Sequence, residues 1–191
     1  MKTLLTLLVL LFSSSVLADD ISDFQIEGMS IGDSLLDYLS EKEIKKEINI
    51  NRKHYKYLSD KFGEVYLHIN SEKYDDFSVF VETANSEYIV YAIYGTNYID
   101  DYNVCKKEAK IILNEIESIL NYDSKHEGTI SHHKYPNDSR VKVYGISLYM
   151  SEDPNNSEGI SIQCYEFADY IDPNNLSISI QTDDIINWFD N

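Results

Sequence analysis

The chain has 191 residues, with 33 Asp and Glu against 16 Lys and Arg and a formal net charge of −17. That length holds one domain with a full hydrophobic core and leaves little room for two. The charge repels phosphate backbones and anionic lipid heads, so it argues against nucleic acid or a bilayer surface as the main ligand and favours cations or basic proteins.

Residues 1–18 carry a positive charge at Lys2, an apolar run from Thr3 to Phe12, and a close in Val16-Leu17-Ala18. This is the pattern of a secretory signal peptide cleaved before Asp19. The run is about half of what a bilayer span needs, so no membrane insertion is expected after cleavage. A single domain over residues 19–191, periplasmic or secreted, is the expectation.

Residues 33–48 read as helical in two pieces, the second opening at Ser40, where Ser40-Glu41-Lys42-Glu43 spells a capping box. Val65, Leu67 and Ile69 alternate with Tyr66 and His68, as in a strand with one wet face. Residues 77–83 and 87–94 flank a short turn and predict a hairpin, whose second arm is apolar on both faces as a central strand requires. Over 101–121 the spacing of Cys105, Ala109, Ile112, Ile116 and Ile119 predicts a helix. A polar loop follows.

Residues 141–151 form a strand in which Val141 and Val143 are out of phase with Ile146, Leu148 and Met150; a bulge at Gly145 would return both sets to one face. After a turn over 152–159, residues 160–167 return with Ile160, Ile162 and Cys164 on one face and Ser161, Gln163 and Tyr165 on the other. Leu176, Ile178 and Ile180 alternate with Ser177 and Ser179, and Thr182 caps a last helix whose first turn holds Asp183 and Asp184. The class is α+β, an antiparallel sheet built from hairpins with helices packed on one side. The element order allows two tandem αβββ units.

Cys105 and Cys164 are the only cysteines, and each lies on the inward stripe of its element. Export would place them where disulfides persist, so a structural disulfide is expected rather than a catalytic thiol.

Among the motifs, Gly32-Asp33-Ser34-Leu35 resembles the GDSL block of the SGNH hydrolase family. The resemblance implies that Ser34 attacks an ester, His126 takes its proton, Asp123 orients His126, and Asn97 with Gly63 stabilises the oxyanion. The match departs where the family's Asn block continues to Asp and this chain continues to Tyr98. The family's parallel sheet is also at odds with the hairpins here. Gly28-Met29-Ser30-Ile31-Gly32 spells a nucleophile-elbow pattern, but at the start of the chain a turn before a helix accounts for it.

Asp153-Pro154-Asn155-Asn156-Ser157 opens like a calcium loop, yet the Gly and Glu such a loop needs are not at their positions. His126, His132 and His133 lie close in sequence, but neighbours on an extended chain point opposite ways, which argues against zinc. No metal or cofactor is expected. Asn137, Asn155 and Asn175 open glycosylation sequons.

Residues 24–39 together with the Cys164-Tyr165 strand resemble a set of small exported bacterial proteins of unknown function. Ile26-x-Gly28-Met29-Ser30 ahead of a helix resembles the tandem helix-helix-three-strand units of β-lactamase inhibitor proteins. The expectation is an exported soluble binding or interaction module for a protein or small ligand, with Tyr66, Tyr149 and Tyr165 as contact residues. A serine esterase using Ser34 is the alternative.

Overall fold

Seven strands form one fully antiparallel sheet in a computed structural model that describes residues 20–54, 61–69, 71–130, 141–153, 156–168 and 172–190. Residues 1–19, His132, His133, Asn137 and Asn155 lie outside the described residues. The strands are β1 (Phe62–Tyr66), β2 (Asp76–Glu82), β3 (Val90–Tyr98), β4 (Ser124–Ile130), β5 (Val141–Tyr149), β6 (Gly159–Phe167) and β7 (Asn175–Gln181). Their order across the sheet is β1-β2-β3-β7-β6-β5-β4. The helices are α1 (Glu41–His54), α2 (Tyr102–Glu117) and α3 (Asp183–Asp190).

Sequence chemistry sets the starts of α1 and α2. Ser40 N donates to Glu43 Oε2 at 3.0 Å and Glu43 N donates to Ser40 Oγ at 3.4 Å, the reciprocal capping box. Asp101 Oδ1 accepts from the N–H groups of Asn103 and Val104 at 2.8 and 3.1 Å, so Asp101 caps α2. Thr182 precedes α3, but its buried hydroxyl has no hydrogen-bond partner among the described residues. Asp183 at that end accepts instead from Ser157 N at 2.8 Å.

Cross-strand register explains the core. Val65, Val79, Ile93, Ile180, Ile160 and Leu148 lie side by side across six strands, all buried. Beneath α1, Ile48 packs on Gly63 so closely that a Cβ there would sit 2.8 Å from it. Beneath α2, Cys105 is bonded to Cys164 of β6, with S–S 2.05 Å and Cα–Cα 5.9 Å, which fastens that helix to the sheet as the two sequence periodicities required. Helix α3 lies on the opposite face, where Ile185 closes a smaller cluster with Phe62, Phe80 and Ala92.

Three local expectations change. The segment after α2 is not all loop: residues 124–130 form β4, an exposed and charged edge strand of the kind that discourages further pairing. Strand β5 runs through Gly145 with no register shift, so Val143 faces away from α1 and α2 while Ile146 and Leu148 face them. Gly145 makes room for Ile130, whose Cδ1 would be 2.9 Å from a Cβ there. Strand β3 continues through Gly95-Thr96-Asn97 to Tyr98, with the Tyr74 ring lying against Gly95.

Two runs, α1-β1-β2-β3 and α2-β4-β5-β6, share an element order. Strands β3 and β6 both run antiparallel to β7 and therefore parallel to each other. The runs start from opposite edges with their helices on one face, so a reflection relates them and no rotation does. The order of elements repeats, but the spatial unit does not.

Candidate functional site

The strand alternation that turns one row toward α1 and α2 turns the next away from them. Tyr66, Ser78, Tyr94, Ser179, Ser161, Ser147 and His126 stand in register on the face away from α1 and α2. Neighbouring rows add Asp76, Thr96 and Ser177, then Tyr98, Asn175 and Tyr165. Small hydroxyl residues lie low on the sheet and rings stand tall around them. A floor of Ser78, Thr96 and Ser177 with a rim of aromatics makes a hollow of about 210 Å³.

The rim comes from several elements. Phe80 lies 5.6 Å from Tyr94 with their planes at 60°, and 5.3 Å from Phe189 of α3 at 79°. Tyr165 and Phe167 stack at 5.8 Å with an 8° angle on the β6 side. Glu64, Asp76 and Asp172 supply carboxylates, and no Lys, Arg or His is among the described lining residues.

Hydrogen bonds fix these groups. Glu64 is 7 % exposed, and its Oε1 accepts from Ser78 Oγ at 3.1 Å. Tyr98 OH donates to Asp76 while its backbone N–H donates to Asp75 Oδ2 at 2.9 Å. Gln181 Nε2 donates to Tyr94 OH at 2.8 Å. Tyr165 OH donates to Gln163 Oε1, and burial pushes its phenol far above the ordinary range, so it stays a neutral donor.

Tyr66 and Tyr165 therefore share one hollow, as two of the three tyrosines expected to make contacts. Tyr149 stands on the same face but farther along, over a separate depression with Ser147, Ser161 and Gln163. Sequence reading missed Glu64, Asp76, Phe80, Tyr94, Tyr98, Asp172 and Phe189. The alternation of Tyr94, Thr96 and Tyr98 with Ile93, Gly95 and Asn97 carried a signal for β3. A second cavity of about 330 Å³ lies between Met29, Leu39, Leu67 and Phe77. Met29, Leu67 and Phe77 come to it from the core, while Glu27, Glu43, Lys46, Glu47 and His68 line its outer side, with Lys46 and Glu47 3.6 Å apart as an ion pair.

The hydrolase residues are spread out. Ser34 caps the turn Leu35–Asp37; its Oγ donates to the Glu87 carbonyl at 2.7 Å and accepts from Leu36 N at 3.3 Å. It bridges to Ile89, just before β3, whereas Asn97 pairs with Leu176 near the far end of that strand. At about 3.3 Å per residue these positions are roughly 25 Å apart. His126 is on the outer strand β4, four places from β3, or roughly 19 Å at the usual strand spacing.

Asp123 stands just before β4, with its N–H on the Tyr149 carbonyl at 2.9 Å, so of the quartet only Asp123 and His126 share a neighbourhood. Gly63 faces α1. A base must reach the proton it takes, and these groups are not so placed. Ser30 is buried in a turn whose Gly28 and Gly32 have φ of +79° and +88°. Among the described residues no group of three or more His, Cys, Asp or Glu could hold a metal ion, and no helix is long and apolar enough to cross a membrane. Comparison with protein families, with curated proteins and with solved structures finds no match to this chain.

Proposed function

We propose that this chain is an exported binding module, periplasmic or secreted, that receives a small ligand in the aromatic hollow of its open sheet face. The observation that carries the reading is the rim of tilted rings and carboxylates over a serine and threonine floor, left uncovered by α3. A core-facing surface would be apolar and packed, whereas this one is polar at its base and open above. Its volume of about 210 Å³ is smaller than the usual 300–1,000 Å³ of drug-sized sites, so the hollow suits a small molecule or the head of a larger one. The leader pattern and the disulfide support export.

The test is a fragment screen by backbone NMR on the full chain without its leader. Perturbed amides should cluster in β1, β2, β3 and β7, and Ser177→Leu, which fills the floor, should abolish the effect while leaving the rest of the spectrum in place. Fragments that bind only elsewhere, or none that bind, would overturn the proposal.

A further inference from the structure

We infer that the cavity beside α1, bordered by the turn at Met29 and the end of β1, is a second binding site. Its ligand is a small neutral amphiphile with an apolar body and a hydroxyl head. At about 330 Å³ the cavity is larger than the open-face hollow and reaches the about 300–1,000 Å³ usual for small-molecule sites. Met29, Leu67 and Phe77 give it an apolar wall, and Leu39 joins them from the turn before α1. These walls suit a short alkyl body.

The head group follows from Glu47. The buried positions of α1 are Ile44, Glu47, Ile48 and Asn51, the i, i+3, i+4, i+7 stripe of an amphipathic helix, so Glu47 stands where an apolar residue is expected. It is 8 % exposed and lines the cavity. Its neighbour on the stripe, Asn51, donates to the Glu64 carbonyl at 2.9 Å. Glu27 and Glu43, on the outer side, accept from Ser71 Oγ at 3.1 Å and from Ser40 N at 3.0 Å. Glu47 accepts no hydrogen bond among the described residues: Lys46 Nζ at 3.6 Å and His68 Nε2 at 3.8 Å stop short of one. A carboxylate withdrawn from water without donors is costly, and an arriving donor relieves that cost.

Glu47 lacks a donor rather than a countercharge, since Lys46 stands beside it. A ligand ammonium would bring a second positive charge next to Lys46, and a ligand carboxylate would oppose Glu27, Glu43 and Glu47. A hydroxyl meets neither opposition, and an O–H donated to a carboxylate is among the stronger hydrogen bonds.

Hexan-1-ol and its isostere 1-methoxypentane, equal in heavy atoms but without a donor, separate the head from the body. Titrations of the full chain without its leader are followed by backbone NMR. The alcohol should shift the amides of Met29, Glu47 and His68 and bind at least about tenfold more tightly than the ether. Tyr66 and Phe77 border the open-face hollow as well, so their shifts assign nothing. Glu47→Met removes the acceptor and should bring the two affinities together. Leu39→Trp, at the half-buried edge, fills the space and should abolish binding of both, which leaves a variant in hand if Glu47→Met fails to fold. Equal affinities for alcohol and ether in the parent chain would overturn the assignment. So would tighter binding of hexylammonium than of the alcohol, or shifts that avoid Met29, Glu47 and His68. The open-face hollow stands or falls separately, on shifts in β3 and β7.

Discussion

Gly159 opens β6 against the backbone of β5, where a Cβ would lie 2.0 Å from the Leu148 carbonyl oxygen. No rotamer change relieves a clash with main chain, so the hairpin itself must move. Gly159→Ala should therefore lower stability by about 3 kcal/mol, the upper end of the overpacking range, read as a fall in the urea midpoint. Gly128 on β4 is the control: the nearest atom to its added Cβ is His126 Nε2 at 3.9 Å, and Gly128→Ala should be neutral or stabilising by about 0.5 kcal/mol. Equal midpoints for the two variants would contradict the close approach. The sequence marks Gly159 only as the end of a turn, because the atom that forbids a side chain belongs to the facing strand and no local pattern displays it. Tyr88 poses a related case, with φ of +47° in a bulky buried residue. Its backbone is held by Asn85 O at 3.1 Å and by Leu35 N at 3.1 Å.

Helix α2 and strand β6 are held by the Cys105–Cys164 bond across 59 residues of sequence. Chain-entropy reasoning gives such a link about 4 kcal/mol. Cys105→Ser with Cys164→Ser should lower the denaturation free energy by about that amount, and reductant should do the same to the parent chain. Midpoints unmoved by reductant would show that the helix docks without it.

This pairing was legible because a helical period and a strand period each fixed which way a sulfur points. Strand β4 was not legible. Its helix-side residues Lys125 and Glu127 meet the outer charges of α2, Lys125 with Glu117 at 2.9 Å and Lys110 with Glu127 at 2.5 Å. An edge strand whose inner face is matched by charge shows no apolar alternation to read. The phase change in β5 was visible in the sequence but misattributed to a bulge. It records a strand whose two ends bury opposite faces.

The excess of acid has a local focus. Glu158 is half-buried, and that burial, with the nearby charges of Asp20 and Asp183, raises its carboxyl above the ordinary 4.5. The sign follows from linkage. The protonated form suits the fold, so the full stability is present below about the unfolded value and is lost as pH rises through the raised folded one. Glu158→Gln should therefore be more stable than the parent near pH 7, and the two thermal midpoints should converge as pH falls below 4.5. Parallel curves would refute the assignment.

The architecture as a whole was readable from hairpins and two amphipathic helices. The hollow was less so, since it needs β1, β2, β3, β7, β6 and the last turn of α3 brought together. Tyr66 and Tyr165 were identified by alternation within single strands, whereas Phe189 reaches the site only because α3 turns onto the face the other helices leave bare.

That β7 stands between β3 and β6 gives the chain a keystone delivered late. A ribosome releases two three-strand meanders before it releases the ribbon that joins them by hydrogen bonds. Until residues 175–181 emerge, each meander has a raw inner border and no ladder of hydrogen bonds joins the two halves of the sheet. Loss of the final strand would thus cut the molecule down the middle rather than trim its rim.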